Sequence, residues 1–168
     1  MGDSYVEQLV KKQNSVMQIG LRVGSVVSAV VITYIMMLLI GIISLVAAFA
    51  LGYGVYYVFI MTSVEYEYVL VNGELTVDTV YGKSKRKRAG VYDIKKSEII
   101  APVKSDYAAV YNKNTQIKSF DFTSGTDEDK AYLMVAPYGA GSARVYFEPN
   151  EELINAMRFQ APSKVKLN

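Results

Sequence analysis

The longest feature of the hydropathy pattern is an apolar stretch near the N-terminus. No Asp, Glu, Lys or Arg occurs between Val23 and Val64. A straight helix of that length would extend roughly 60 Å, whereas the hydrocarbon core of a bilayer is about 30 Å thick. The length therefore predicts two transmembrane helices, about Leu21–Ile40 and Ile42–Met61. We place a very short turn near Gly41, because glycine is the only helix breaker close to the midpoint.

A cleaved secretory signal peptide is the alternative interpretation of this stretch. Ala48-Phe49-Ala50 resembles an A-x-A cleavage site. The apolar core of a signal peptide is about 7–15 residues long, and the apolar run before this site is longer. A second apolar run, Leu51–Met61, follows the site. These lengths favour two membrane spans.

The charges that flank the stretch predict its orientation. Lys11, Lys12 and Arg22 precede the first span, and Lys83 is the first cation after the second span. Cations near the ends of a span favour the cytoplasmic side. Both termini are therefore predicted to be cytoplasmic in a multi-pass protein of the cell membrane. Aromatic residues approach the same end of the second span, as is typical of membrane interfaces: Tyr53, Tyr56, Tyr57 and Phe59.

Small residues recur four positions apart in both predicted spans, and they allow close approach of helices. They are Gly24 and Ser28 in the first span, and Ala48 and Gly52 in the second. They favour packing within the hairpin, and contact with a second copy or a larger membrane complex is the alternative.

The N-terminal arm, residues 1–20, is predicted to contain a short amphipathic helix. Ser4-Tyr5-Val6-Glu7 fits a capping box. In a helix Val6, Leu9 and Val10 would share one face, which could lie on the membrane or against the folded domain.

Residues 64–168 are predicted to form a cytoplasmic domain that consists mostly of strands. Glu65–Val71 and Glu74–Val80 alternate in polarity, and Asn72-Gly73 lies between them, which is the strongest short signal for a β-hairpin. A two-residue turn would place Glu67 opposite Asp78, and two facing carboxylates repel each other unless a cation lies alongside.

Further elements follow at short spacing. The chain ends in a predicted helix that begins at Pro149-Asn150, with Leu153, Ala156, Met157 and Gln160 on one face. Tyr66, Tyr68, Tyr132 and Tyr146 fit alternating strands and are predicted to be core or cross-strand residues. The further strand candidates are about Lys87–Ile94, Ile99–Val103, Ala108–Tyr111, Ile117–Phe122, Ala131–Ala136 and Arg144–Phe147.

The composition excludes most catalytic chemistry. The chain has 168 residues, a net charge of +2, no cysteine and no histidine. It therefore has no thiolate nucleophile, no imidazole base and no Cys- or His-ligated metal. The acidic loop Thr126–Asp129 lacks the spacing of an EF-hand, and Gly139-Ala140-Gly141 is predicted to be a turn. We expect no enzyme activity and no cofactor.

The order of these elements resembles a known type of domain. A strand–Asn72-Gly73–strand unit, a basic third strand, the segment Asp93–Ile99 and a C-terminal helix resemble the bacterial pleckstrin-homology-like (PH-like) domain. More narrowly, three parts of the chain resemble a family of small bacterial membrane proteins with two N-terminal transmembrane helices. They are Ser4–Lys11, Leu51-Gly52-Tyr53-Gly54 and the run from Glu65 to Arg88. The resemblance implies an architecture, and it carries no assigned reaction.

The basic run is the candidate contact site, and two interpretations of it stay open. Five cations occur in six residues: Lys83, Lys85, Arg86, Lys87 and Arg88. They could bind anionic lipid headgroups or a partner, at about 1 kcal/mol per cation near a membrane surface. Alternatively they form a charged strand edge, in which a two-residue turn at Gly82-Lys83 would bring Lys87 near Asp78 and Glu67. PH domains that bind phosphoinositides carry cations around the first hairpin turn. Here that turn is Asn72-Gly73, which is expected to have no cation nearby, and the basic run lies one connection later, which argues against specific phosphoinositide binding.

The sequence thus predicts an α+β membrane protein. An N-terminal transmembrane helical hairpin, residues 21–63, precedes a mainly antiparallel β PH-like barrel that is capped by a C-terminal helix. The expected function is that of a non-catalytic scaffold or interaction module at the cytoplasmic membrane surface, with a protein partner and without nucleic acid. The alternative is a domain that senses anionic lipid through the basic run.

Overall fold

The chain folds into two units. The computed structural model describes residues 5–112 and 117–167. The first unit, here called the β unit, contains the described residues 5–13, 65–80, 86–112 and 117–167. The second, the helical unit, contains residues 14–64 and 81–85. The helical unit is therefore largely inserted between the first strand of the β unit and the remainder of that unit.

The helical unit consists of two apolar helices and a short 3-10 turn. Helix α1 spans Val16–Ile40, the turn spans Gly41–Ile43 and helix α2 spans Ser44–Thr62. Gly41 has a φ of 62°, a left-handed conformation that glycine adopts without strain, and it ends α1. The segment Val16–Thr62, which includes the turn, is long and apolar enough to cross a membrane. Judged by length and composition, it is the one such segment among the described residues.

Arg22, near the start of α1, is bound to the end of α2. Its Nε donates a hydrogen bond to Thr62 Oγ1 at 2.7 Å, and its Nη2 donates to Ser63 Oγ at 3.1 Å. The guanidinium also lies 5.4 Å from the centroid of the Phe59 ring. These contacts place the early turns of α1 beside the end of α2 and put a cation there.

The β unit contains two four-stranded sheets and two helices. The first sheet has the order β1-β2-β3-β4 and the second has the order β5-β7-β8-β6, with β6 and β8 parallel. The strands are β1 Tyr5–Lys11, β2 Val64–Val71, β3 Glu74–Tyr81, β4 Lys85–Asp93, β5 Ile99–Pro102, β6 Lys118–Asp121, β7 Tyr132–Tyr138 and β8 Gly141–Phe147; the helices are α3 Asp106–Asn112 and α4 Glu151–Gln160.

The predicted β2–β3 hairpin is present. Asn72 and Gly73 have φ values of 51° and 92°, as expected of the central residues of a tight hairpin turn. Tyr68 of β2 is fully buried, its ring lies edge-on to Phe147 at 6.0 Å, and its hydroxyl donates to the Phe122 carbonyl at 2.6 Å. Burial raises the pKa of Tyr68, so the hydroxyl stays protonated and keeps donating. This side chain ties β2 to the second half of the β unit.

Helix α4 packs its apolar face into the core, as predicted. Asn150 caps it, with the side-chain Oδ1 accepting from Leu153 N at 2.8 Å. Leu153 and Met157 are fully buried, whereas Phe159 is 84% exposed. The helix therefore presents one face to the β unit and leaves Phe159 outside it.

The N-terminal arm is not a helix, and this prediction was wrong. Residues 5–11 form β1, which pairs antiparallel with β2 from Tyr5 opposite Val71 to Lys11 opposite Glu65. Val6 and Val10 are buried and Leu9 is exposed, which is the alternation of a strand. The capping box lies further along the chain, where Ser15 and Gln18 start α1. Ser4 lies outside the described residues.

A second prediction was also wrong, at Ala108–Tyr111. These residues belong to α3 and not to a strand. Ala108 is fully buried in the cluster formed with Ala101 and Leu133, while Val110 is exposed. The other predicted strands are present as β4 to β8, with ends that differ by a few residues.

Candidate lipid- and partner-binding surface

The basic run forms the end of one hairpin and the first half of strand β4. Lys83 lies in the turn with a φ of 61°, and Lys85 is the first residue of β4. All five cations are exposed to solvent. β4 is an edge strand of its sheet, and charged side chains on an edge discourage pairing with another chain.

Two of the five cations pair with carboxylates on other strands of the same sheet. Arg86 donates two hydrogen bonds to Glu67, from Nε to Oε2 at 2.7 Å and from Nη2 to Oε1 at 3.0 Å. Arg88 Nε lies 3.6 Å from Asp78 Oδ1. The Glu67 side chain is only 6% exposed, so Arg86 compensates a buried charge that would otherwise be unfavourable.

The paired cations differ from the one that the sequence predicted. β3 ends at Tyr81 and β4 begins at Lys85, so three residues separate the strands where the prediction assumed two. A shift of one residue moves every side chain of a strand to the opposite face. Arg86 and Arg88, and not Lys87, therefore reach the carboxylates of Glu67 and Asp78.

The three lysines of the run have no acidic partner among the residues that the structure describes. Within the part of the chain that the structure describes, no ion pair forms at Lys83, Lys85 or Lys87. We call these three residues the free lysines. The basic run thus separates into two structural arginines and three cations that are available to a ligand.

The start of the run is held against the end of α2 within the helical unit. Gly82 N donates to the Ser63 carbonyl at 2.9 Å. A Cβ atom at position 82 would lie 2.6 Å from the Ile60 side chain, and the φ of Gly82 is 55°. Both the contact and the backbone conformation therefore require glycine. They fix Lys83 and Lys85 close to the polar end of the apolar helical segment.

The pKa of one carboxylate beside the Glu67–Arg86 pair, that of Glu7, is shifted. Tyr5 donates from its hydroxyl to Glu7 Oε2 at 2.5 Å. This hydrogen bond, together with the neighbouring Glu67 and the positive charge of Arg86, lowers the pKa of Glu7. The same bond to a carboxylate raises the pKa of Tyr5. Glu7 is therefore anionic near neutral pH, and this outer corner of the sheet is a compact mixed-charge cluster.

Sequence reasoning missed a cation at the first hairpin turn. Ile94 N donates to the Gly73 carbonyl at 2.9 Å, which brings the β4–β5 connection to the Asn72–Gly73 turn. The next residue, Lys95, places its side chain against this turn. Its Cε would lie 3.0 Å from a Cβ atom built at Gly73. The turn has no cation beside it in the sequence, but it has one in space.

The order of the elements and the match to a known family agree. Residues 2–167 match the sequence profile of a family described as bacterial PH-like domain, DUF6106. The chain belongs to this family. Neither a curated protein nor a solved structure matches the chain significantly.

The PH-like assignment indicates an interaction module for lipid or protein ligands. In this PH-like chain the match includes β1 and the apolar helical segment as well as residues 64–167. The helical segment is therefore part of the family pattern, and the surface around the basic run must be considered together with it.

Proposed function

We propose that the chain is a membrane-anchored, non-catalytic interaction module that presents its PH-like domain at the cytoplasmic surface of the cell membrane. The helices α1 and α2 would each cross the bilayer once. The domain would then bind a protein partner, whose identity the fold does not specify. The observation that carries this proposal is the pairing of β1 with β2.

The register of that pair constrains how the chain can cross a membrane. Lys11 and Glu65 lie opposite each other, and such partners are separated by about 5 Å between Cα atoms. Residues 12–64 therefore leave the sheet and return to it at one place. A sheet on one side of a bilayer allows this only with an even number of crossings, and the length of the apolar stretch allows two.

The cations of the helical unit support a cytoplasmic location for that end. Arg22 is bound to Thr62 and Ser63, and Gly82 holds the turn with Lys83 against Ser63. Positive charge flanking a span favours the cytoplasmic side. The sequence has neither histidine nor cysteine, so the proposal assigns the chain no imidazole or thiolate chemistry.

Excision of the helical segment tests whether it is the anchor. We expect a chain in which Asn-Gly replaces residues 12–64 to be soluble and folded, because Lys11 and Glu65 already face each other and Asn-Gly closes a two-residue hairpin. The measurement is fractionation of cell lysates, followed by circular dichroism and thermal melting. The full chain, as the control, should stay with membranes after an alkaline wash.

Two outcomes would count against the proposal. If the excised chain still sediments with membranes, the anchor lies outside the helical segment. If it is soluble but has no cooperative melting transition, the β1–β2 pairing does not support a domain that folds separately from the anchor.

A second function is favoured by the free lysines. Lys83, Lys85 and Lys87 carry no acidic partner in the described residues. The hydrogen bond from Gly82 N holds the turn that contains Lys83 against Ser63. Near an anionic membrane surface each lysine contributes about 1 kcal/mol. We propose that these residues contact anionic headgroups and fix the orientation of the domain at the surface.

Charge-neutral variants separate this function from a purely structural role. We expect anionic phosphatidylglycerol in nanodiscs to raise the melting temperature of the full chain, relative to neutral phosphatidylcholine. The variant K83Q, K85Q, K87Q should lose this increment, which corresponds to at most about 3 kcal/mol, with little change in neutral lipid.

The matched control is R86Q, R88Q. It should lower the melting temperature in both lipids, because Glu67 and Asp78 lose their partners, and it should keep the increment from anionic lipid. Equal increments in the parent and in the lysine variant would exclude the lipid contact.

A further inference from the structure

The β unit contains a cavity on the side of the second sheet, with a volume of about 380 Å³. This volume lies within the range of small-ligand pockets, about 300–1,000 Å³. Its wall is formed by Val103, Ala131 and Tyr146, and Val103 and Tyr146 pack against the core cluster that contains Ala101 and Leu133. The cavity is therefore a concave site whose apolar wall lies at the ends of strands β5, β7 and β8.

Four carboxylates are among the side chains that line this cavity. Asp121, Asp127, Glu128 and Glu148 all line it. Asp127 is compensated by Lys130, whose Nζ lies 3.3 Å away. Asp121, Glu128 and Glu148 form no ion pair with any described residue. Lys104 also acts electrostatically on Asp127 and Glu128, so the four carboxylates of the lining outnumber these two cations, Lys104 and Lys130.

Glu148 distinguishes this cavity from an ordinary acidic surface. The residue is only 9% exposed. Its Oε1 accepts hydrogen bonds from Ser124 N at 3.0 Å and from Ser124 Oγ at 2.9 Å. Its Oε2 has no hydrogen-bond partner among the described residues, although the side chain lines the cavity. Oε2 therefore keeps its acceptor capacity and is not sealed from solvent, so a cationic ligand that enters the cavity would find an acceptor there.

The arrangement favours an organic cation over a metal ion. No group of three acidic side chains in the described part of the chain is close enough to hold a metal. The carboxylates are instead spread around an apolar wall that contains an aromatic ring. An ammonium or guanidinium head forms charge-assisted hydrogen bonds with carboxylates, and an aliphatic stem fits against apolar side chains.

We propose that this cavity binds an alkylammonium or guanidinium group carried on an apolar stem, with Glu148 Oε2 as the principal acceptor. The group is either a lysine or arginine side chain of a partner protein or the head of a free amine. Asp121 and Glu128, which also line the cavity, add negative potential. This site lies in the β unit and is independent of the membrane anchor and of the free lysines.

Calorimetric titration of the full chain in an uncharged detergent tests the site. The probes are pentylamine, a blocked lysine peptide, and pentanol as a neutral ligand with the same stem. We expect pentylamine or the peptide to bind at least about tenfold more tightly than pentanol, which is a difference of about 1.4 kcal/mol. Binding of the peptide alone identifies a partner side chain, and binding of pentylamine identifies a free amine.

Three variants locate the binding. E148Q keeps an acceptor for Ser124 and removes the charge, and it should weaken binding about tenfold. Glu128 is exposed, so E128Q leaves the core intact, and this variant should weaken binding severalfold. If E148Q does not fold, the result with E128Q tests the proposed site. E74Q removes the same charge outside the cavity and should have no effect. The proposal is overturned if neither cation binds, if pentanol binds equally well, or if E74Q weakens binding as much as E148Q.

Discussion

Replacement of Leu153 by Asp is expected to destabilise the β unit strongly and to lower its melting temperature. Leu153 is fully buried on the inner face of α4, next to the buried residues Ile154 and Met157. An aspartate there loses the buried apolar side chain and places an unpaired charge in the core. The cost is at least about 3 kcal/mol, and domains of this size are stable by only about 5–15 kcal/mol. Thermal melting of the full chain, followed by near-ultraviolet circular dichroism, measures the effect.

The same helix provides the matched control. Phe159 is 84% exposed, so F159D introduces the same charge on the same helix without disturbing the core. We expect the melting temperature of F159D to stay close to that of the parent. Equal melting of L153D and the parent would show that α4 does not pack into the β unit.

Local sequence signals were sufficient where one short segment determines the structure. Asn72-Gly73 predicted the β2–β3 turn, because few residue pairs tolerate two successive positive φ values, and both are positive in the structure. Helix α4 was predictable for a similar reason, since Asn150 caps it and the buried residues Leu153 and Met157 follow at helical spacing.

The N-terminal segment shows where local signals fail. Val6 and Val10 are four residues apart, a spacing that fits one face of a helix and also one face of a strand. Ser4 and Glu7 favoured the helix. The deciding contacts come from β2, nearly sixty residues away in the sequence, and no local pattern contains them. Pairing with β2 overrides the local preference.

The candidate site was predicted as a segment but not in its details. The run from Lys83 to Arg88 was found from charge alone. Its division into paired arginines and free lysines depends on the length of the β3–β4 turn, which the sequence left undetermined. The acidic cavity was not predicted at all, because Asp121, Glu128 and Glu148 come from three separate segments and the sequence around Glu128 has the pattern of a solvated loop.

The membrane topology is the central claim, and single cysteines test it most directly. The chain has no native cysteine, so each introduced thiol is unique. Ile42 is 79% exposed in the turn between α1 and α2, and Glu74 is exposed at the start of β3. The variants are I42C, E74C and D3C, and the reagent is a membrane-impermeant maleimide applied to intact cells and to permeabilised cells.

Two crossings with cytoplasmic termini predict an all-or-none pattern. I42C should be labelled in intact cells, whereas D3C and E74C should be labelled only after permeabilisation. A single crossing would place positions 3 and 74 on opposite sides, so that one of them is labelled in intact cells. Labelling of D3C or E74C from outside, or protection of I42C in intact cells, would contradict the proposed anchor.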